Sequence, residues 1–231
     1  MKVILLAAGY GTRLLPLTAN TPKALLPIKN TSILDRILTD LQGFECNLIT
    51  NNKFYTSFKE HAKNKYTVIN DNTNSNDDRL GAVGDIMFTI NNQKINEDVL
   101  IVNTDNLFGF NLKIFIDYAQ RSEHSVAACK DMLSKNAVKN RFGVIVEEQG
   151  VITEFQEKPS LPLSTLASVG LYYIKRKDLP FIAECAEMSA DNTGDMIKHL
   201  VDKSRVNVWT FTHEWSDVGT PESYEHAQNR F

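Results

Sequence analysis

The sequence predicts a single α/β domain built on one open mixed sheet, and three observations carry that prediction. Strand-length runs that are apolar throughout, rather than alternating, fill the first half of the chain, as expected for parallel strands covered on both faces. Helix-period stretches stand between those runs, in the order of βαβ crossovers. After about Gln120 the alternation gives way to strands separated by turn signals, a β-rich excursion from which the chain returns to helices near its C-terminus.

Each element has its own warrant. KVILLAA (2–8), CNLIT (46–50), YTVIN (66–70) and DVLIVN (98–103) are the apolar runs. SILDRILTDLQ places Ile33, Ile37, Leu38 and Leu41 on one helical face behind a Thr31 or Ser32 cap. The excursion comprises SVAACK, RFGVIVEE, GVITEFQEK and ASVGLYYIK, with Gln149-Gly150 as a turn and no long helix between the middle two. Helices follow over 178–187 and 191–201, then the strand NVWTF, then a helix opened by Thr220 and Pro221. No linker, repeat or low-complexity tract divides the 231 residues, which are expected to form one domain, 1–231.

Composition excludes several function classes. The chain is 42% hydrophobic and 23% charged with a net charge of -3, so it carries no global attraction for nucleic acid or an anionic membrane. The apolar start of the chain is cut off by Gly9 and Arg13, too early for a secretory signal, and no run approaches the ~20 apolar residues of a membrane span. A cytoplasmic location is the expectation. Cys46, Cys129 and Cys185 lack metal-ligand spacing and read as reduced thiols.

Chemistry concentrates beyond the ends of the expected strands, where ligands sit in open α/β sheets. Gly9 and Gly11 permit close approach of backbone amides to phosphate oxygens, and Arg13 and Lys23 supply a planar fork and a point charge. The third glycine of a dinucleotide fingerprint is absent, Leu14 standing in its place, so an ordinary βα turn remains open. Asp105, in VNTDN, is placed to hold Mg²⁺ or simply to start a turn. Asp217 stands on a glycine-containing loop before a helix opened by Thr220 and Pro221, a stretch that also reads simply as a capped helix start. Glu157 and Lys158 stand before Pro159, where adjacent opposite charges are more often solvated than functional.

Together these stretches resemble the sugar-1-phosphate nucleotidyltransferases. LAAGYGTRLLPLTANTPKALLPI, RLGAVGDI, NTDN, RFGVIVEEQGVITEFQEKP, ASVGLYYIK and WSDVGTPESY occur in the family's order across nearly the whole chain. The resemblance implies a Rossmann-like nucleotidyltransferase fold with a β-rich sugar-binding excursion. It also implies the coupling of a nucleoside triphosphate with a sugar 1-phosphate to give a nucleoside-diphosphate sugar and pyrophosphate. By resemblance, Leu6, Ala8, Gly9, Gly11, Thr12 and Gly84 bind the nucleotide, and Arg13 and Lys23 are catalytic. Gly143, Glu157, Lys158 and Gly170 bind the sugar phosphate, while Asp105 and Asp217 hold the Mg²⁺ cofactor. Residues 1–110 form mainly the nucleotide half and 111–231 mainly the sugar-phosphate half. WSDVGTPESY lies close to the end of the sequence, which leads to the expectation of the short, single-domain form, a monomer or small homo-oligomer without nucleic-acid or membrane partners.

Three positions depart from the family's commonest pattern: Ala82 in place of a threonine, Thr104 in place of a glycine, and Asp85 as an added charge near the base loop. No base-reading glutamine aligns within 70–79. The alternatives are a cytidylyltransferase activating a non-sugar phosphate such as phosphocholine, a glycosyltransferase, and a non-catalytic subunit. The second lacks its expected D-x-D motif here, and the third typically loses the arginine or lysine that this chain retains.

Overall fold

The first apolar run becomes β1 (Lys2–Leu6) in a computed structural model that describes residues 1–188 and 190–231. Val3 and Leu5 point into one apolar cluster and Ile4 into another, the two-faced burial that a continuous apolar strand requires. Short 3₁₀ turns at Thr12–Leu14 and Lys23–Leu25 follow, then the hairpin β2 (Pro27–Ile28) and β3 (Thr31–Ser32). Next come α1 (Ile33–Asp40), β4 (Cys46–Thr50), α2 (Tyr55–Ala62), β5 (Thr67–Asn70), α3 (Gly81–Asn92) and β6 (Val99–Asn103). These strands pair in parallel in the order β5-β4-β1-β6, so the strand order reverses at β1 and opens a crevice beyond its carboxyl end.

The second half completes the sheet in an order that the chain does not follow. It comprises β7 (Asn106–Phe108), α4 (Leu112–Arg121), β8 (Ser125–Asp131), α5 (Lys135–Val138), β9 (Val144–Glu148), β10 (Val151–Gln156) and β11 (Leu166–Ile174). After these come α6 (Leu179–Glu187), α7 (Thr193–Lys203), β12 (Val206–Phe211), β13 (Trp215–Asp217) and α8 (Pro221–Arg230). The full order is β5-β4-β1-β6-β11-β8-β12-β10-β9, with β11 antiparallel to β6 and β8, so the sheet is mixed and unbroken. Helices α1, α2 and α4 cover one face, and α3, α6 and α7 the other.

Local chemistry explains the boundaries. Ser32 caps α1, its Oγ accepting from Asp35 N at 3.0 Å. Gln149 and Gly150 both have positive φ, 52° and 78°, which suits the tight turn joining β9 to β10. α7 begins two residues later than the sequence suggests, because Asn192 and Asp195 form a reciprocal capping box. All three cysteines are buried and unpaired, and burial pushes the Cys46 thiol up to about 11, leaving it inert. No helix among the described residues is long and apolar enough to cross a membrane.

Candidate active site

The loop after β1 is held rigidly from below. Ala7 N donates to Ile49 O at 3.0 Å, Asn51 Nδ2 to Ala8 O at 2.7 Å, and the buried Tyr10 hydroxyl bonds Thr73 Oγ1 at 3.1 Å. Gly11 adopts φ 67°, and a Cβ there would lie 3.0 Å from Thr18 Cβ, whose hydroxyl donates to Gly11 O at 2.7 Å. Only glycine fits that conformation at that approach. The following 3₁₀ turn buries Leu14 as an anchor and leaves Arg13 exposed at the cavity wall. Lys23 stands on the second 3₁₀ turn, anchored by buried Ala24, and its Nζ reaches Asp105 Oδ2 at 2.7 Å.

Asp105 and Asp217 converge through a two-stranded ladder. β7 pairs with β13, setting Asn106 opposite Asp217, and Val218 N donates to Asp105 O at 2.8 Å. Asn106 tightens the corner, donating to Asp105 Oδ1 at 2.8 Å and accepting from Trp215 Nε1 at 2.8 Å. Burial, then the Asp105 charge, pushes the Asp217 carboxyl up to about 6 against the pull of Lys23, Arg13 and Lys158. Two carboxylates crowded in this way present hard oxygen donors, and a divalent cation would relieve their repulsion, so the donor set fits Mg²⁺.

Two cavities meet at this corner. The first, about 440 Å³, is lined by Leu6, Ala8, Gly9, Gly11, Thr12, Arg13 and Lys23, and at its far end by Asn76, Arg79, Gly81, Ala82 and Asp85. The second, about 190 Å³, is lined by Arg141, Gly143, Glu157, Lys158, Gly170 and Asp217, with Phe142, Phe155, Tyr172 and Trp215 as aromatic walls. Asn103, Asp105 and Asn192 border both. Of the residues singled out in the sequence, all but one line these cavities. Gly84 is the exception: α3 turns Gly81, Ala82 and Asp85 to the cavity, while a Cβ at Gly84 would meet Leu80 Cβ at 2.9 Å.

The structure gives the sequence-named Gly143 and Gly170 a steric role and adds Asn103 and Gly194, which sequence reading missed. Gly170, at φ 67°, leaves space for Asn103, whose Nδ2 would be 2.6 Å from a Cβ there, and the buried Asn103 Oδ1 has no hydrogen-bond partner among the described residues. Glu157 Oε2 lies against Gly194, 2.4 Å from where a Cβ would stand, and Gly143 admits the Phe155 ring in the same way. The only local signal for Gly194 is its place in the polar stretch DNTGD at a helix start. Arg79 bonds Asp191 through Nε at 3.3 Å and Nη2 at 2.5 Å, tying the 70–79 loop to the segment before α7. Asn76 supplies an amide at the rim where no glutamine aligns.

Beneath that rim lies a buried acid. Asp85 is 7% exposed, and burial, then the charges of Asp71 and Asp191, pushes its carboxyl up to about 8. The folded chain therefore holds a proton that the unfolded chain, with an ordinary pKa of about 3.9, has released. The resulting stability is complete below about pH 4 and is lost as pH rises to about 8, at up to roughly 1.4 kcal/mol per pH unit. Asp85→Asn is expected to flatten thermal melts between pH 5 and pH 8 and to be the more stable protein at pH 8. Parallel melting curves for the two proteins would exclude a buried acid at Asp85.

Known proteins agree with this architecture. A family model described as nucleotidyl transferase matches residues 2–231. The bifunctional protein GlmU of Methanocaldococcus jannaschii is 30% identical over 231 residues, covering 96% of this chain and 52% of that protein. The glucose-1-phosphate adenylyltransferase of Thermosipho melanesiensis is 34% identical over 132 residues, 54% of this chain and 32% of its own. The chain thus spans about half the length of GlmU, and its alignment covers about a third of the adenylyltransferase. The crystal structure of UDP-glucose pyrophosphorylase complexed with UDP-glucose superposes with a TM-score of 0.80 at 22% identity, covering 99% of this chain and 97% of that one, a likeness of fold. With the match running over all but the first residue, the chain belongs to the nucleotidyl transferase family.

Proposed function

We propose that the protein couples a nucleoside triphosphate with a sugar 1-phosphate, releasing pyrophosphate and forming a nucleoside-diphosphate sugar. The observation that carries this reading is the meeting of two cation-lined cavities at Asp105, one shaped around the glycine loop and one around Glu157 and Lys158. The larger takes the triphosphate and the smaller the acceptor. The family match and the names of the relatives, which transfer nucleotides to sugar phosphates, support the same division. It corresponds to a nucleotide half over 1–110 and a sugar-phosphate half over 111–231, with Asp191, Asn192 and Gly219 reaching across to the first cavity.

The chemistry needs little acid–base assistance. A phosphate monoester with a second pKa of about 6 is largely a dianion at neutral pH, so its oxygen is already a nucleophile. That oxygen bonds the α-phosphorus while the bond from the α-phosphorus to the oxygen bridging it to the β-phosphate breaks, and the pyrophosphate leaves with the electron pair. The difficulty is to bring two anions into line, which makes positioning and charge neutralisation the catalytic tasks. Arg13 and Lys23 neutralise the α-phosphate and the leaving pyrophosphate, while Gly9, Gly11 and Thr12 present backbone to the chain of phosphates. Lys158 holds the acceptor phosphate, and Glu157, 3.4 Å from Lys158 Nζ through Oε1, accepts from sugar hydroxyls. Asp105 and Asp217 would hold Mg²⁺, which would supply positive charge against the negative charge of the phosphates.

One observation favours a second acceptor. The Phe142 and Trp215 rings lie 5.0 Å apart, tilted by 60°, in the same cavity as Glu157, a setting that also suits a quaternary ammonium such as that of choline phosphate. Pyrophosphate release should be measured for four ribonucleoside triphosphates and dTTP against sugar 1-phosphates and choline phosphate. The expected result is turnover with a sugar 1-phosphate, and Glu157→Gln should weaken its apparent affinity roughly tenfold or more while sparing the triphosphate. Choline phosphate outperforming every sugar would select the second reading, and no release with any pair would refute both.

A further inference from the structure

Among the described residues, Asp85 is one of two buried carboxyl groups with an oxygen that lacks a hydrogen-bond partner. Asp71 Oδ1 accepts from Thr73 N at 2.7 Å and from Thr73 Oγ1 at 2.8 Å, and Asp71 N donates to Thr50 O at 2.8 Å. Asp71 Oδ2 and Asp85 Oδ1, however, are both shut off from solvent and have no donor among the described residues. The two side chains are near enough for the Asp71 charge to raise the Asp85 carboxyl. Two carboxylates cannot bond, but one shared proton gives each orphan its partner. Burial lifts Asp85 to about 8 and raises Asp71 as well, which leaves the proton on Asp85 at neutral pH.

The consequence concerns what Asp85 offers the cavity it lines. Its proton is committed to Asp71 through Oδ1, so the other oxygen is a carbonyl acceptor with nothing to donate. Nearby charged and titratable groups do not alter that. Asp78 bonds Asn74 N and Ser75 N, Asp191 is held by Arg79, and the Tyr10 hydroxyl is engaged with Thr73. Gly81 approaches so closely that a Cβ would lie 2.7 Å from Asp191 Oδ1, which closes this end of the cavity around whatever reaches it.

Resting on the reading of this cavity as the triphosphate site, we infer that Asp85, paired with Asp71, is a specificity-determining residue that selects a base bearing an exocyclic amino group, a 6-aminopurine or a 4-aminopyrimidine, over its keto counterpart. An amino group donates to the acceptor oxygen. A keto base turns a second acceptor toward it, or offers its ring N–H only beside a carbonyl that the carboxyl oxygen repels. Leaving a buried acceptor unpaired is the penalty that discriminates.

Calorimetric titration without acceptor, at pH 7, tests this with pairs differing in that one group: CTP against UTP, and ATP against ITP. The expected result is that the better-binding pair favours its amino member by roughly tenfold or more. Asp85→Asn, whose N–H₂ replaces the shared proton toward Asp71 and whose carbonyl still faces the cavity, should keep that ratio, and Asp85→Ala, which removes the acceptor, should bring it near one. A wild-type preference for UTP or ITP, or a ratio unchanged in Asp85→Ala, overturns the inference. Arg13→Ala in the same titration separates the two levels. Nucleotide binding that depends on Arg13 but ignores the amino group leaves the triphosphate site standing and removes the role of Asp85. Absence of binding by all four nucleotides removes both.

Discussion

Lys23→Ala is expected to lower the turnover of pyrophosphate release by about a hundredfold or more while shifting the melting temperature little. The side chain stands beside Asp105, 2.7 Å away, where the two cavities join, and on the proposed reading its charge would face the negative charge that moves to the leaving pyrophosphate. Removing one preorganised cationic donor of this kind typically costs 10²–10³ in turnover. The fold does not depend on it in the same measure, because the 3₁₀ turn that carries Lys23 is anchored by Ala24 and by Leu26, both buried. Arg13, exposed on its own turn, should behave alike. Turnover and a thermal melt on the same preparation decide the matter. Normal turnover in the folded fraction with a large loss of stability would make Lys23 a structural partner of Asp105 and nothing more.

Asp217→Asn should also abolish most of the turnover, by about a hundredfold or more, yet leave the protein at least as stable as before. The reason lies in the conflict visible at the β7–β13 corner. A half-buried carboxylate is kept beside a second one, an arrangement that costs stability and that a site tolerates for function. Asparagine keeps the shape, removes the repulsion and weakens the pair of oxygen donors. Chelation of divalent cations should silence the wild-type protein, and added Mg²⁺ should restore it, with the Asn variant needing far more of the ion. Full activity of Asp217→Asn in ordinary Mg²⁺, or activity indifferent to chelation, would take Asp217 out of the site.

How much of this was legible in the sequence follows from the range of the forces involved. The parallel half could be read because each of its strands is buried on both faces and so records its environment as an unbroken apolar run, as in Val99–Asn103. The glycine loop could be read because Gly11 requires a conformation and an approach that other residues resist, and because Arg13 and Lys23 are separated by a spacing that serves no helix or strand. Glu157, Lys158, Asp105 and Asp217 were each ambiguous alone, and their common order along the chain singled them out.

Tertiary structure decided the rest. Nothing in Leu166–Ile174 names β6 and β8 as its neighbours, since a period-2 pattern states which face is buried and not which strand lies alongside. Gly84 and Gly81 look equivalent in RLGAVGDI, but the rotation of α3 turns Gly81 and Asp85 to the cavity and Gly84 toward Leu80. Gly170 against Asn103 and Gly194 against Glu157 are fits between residues far apart in the chain, and Asp71 and Asp85 meet only because the fold brings the loop after β5 to α3. The sequence by itself determined the local conformations and the chemical groups available. Which groups share a cavity, and which carboxyl keeps its proton there, depends on packing and desolvation between distant segments, and those arise only when the sheet has formed.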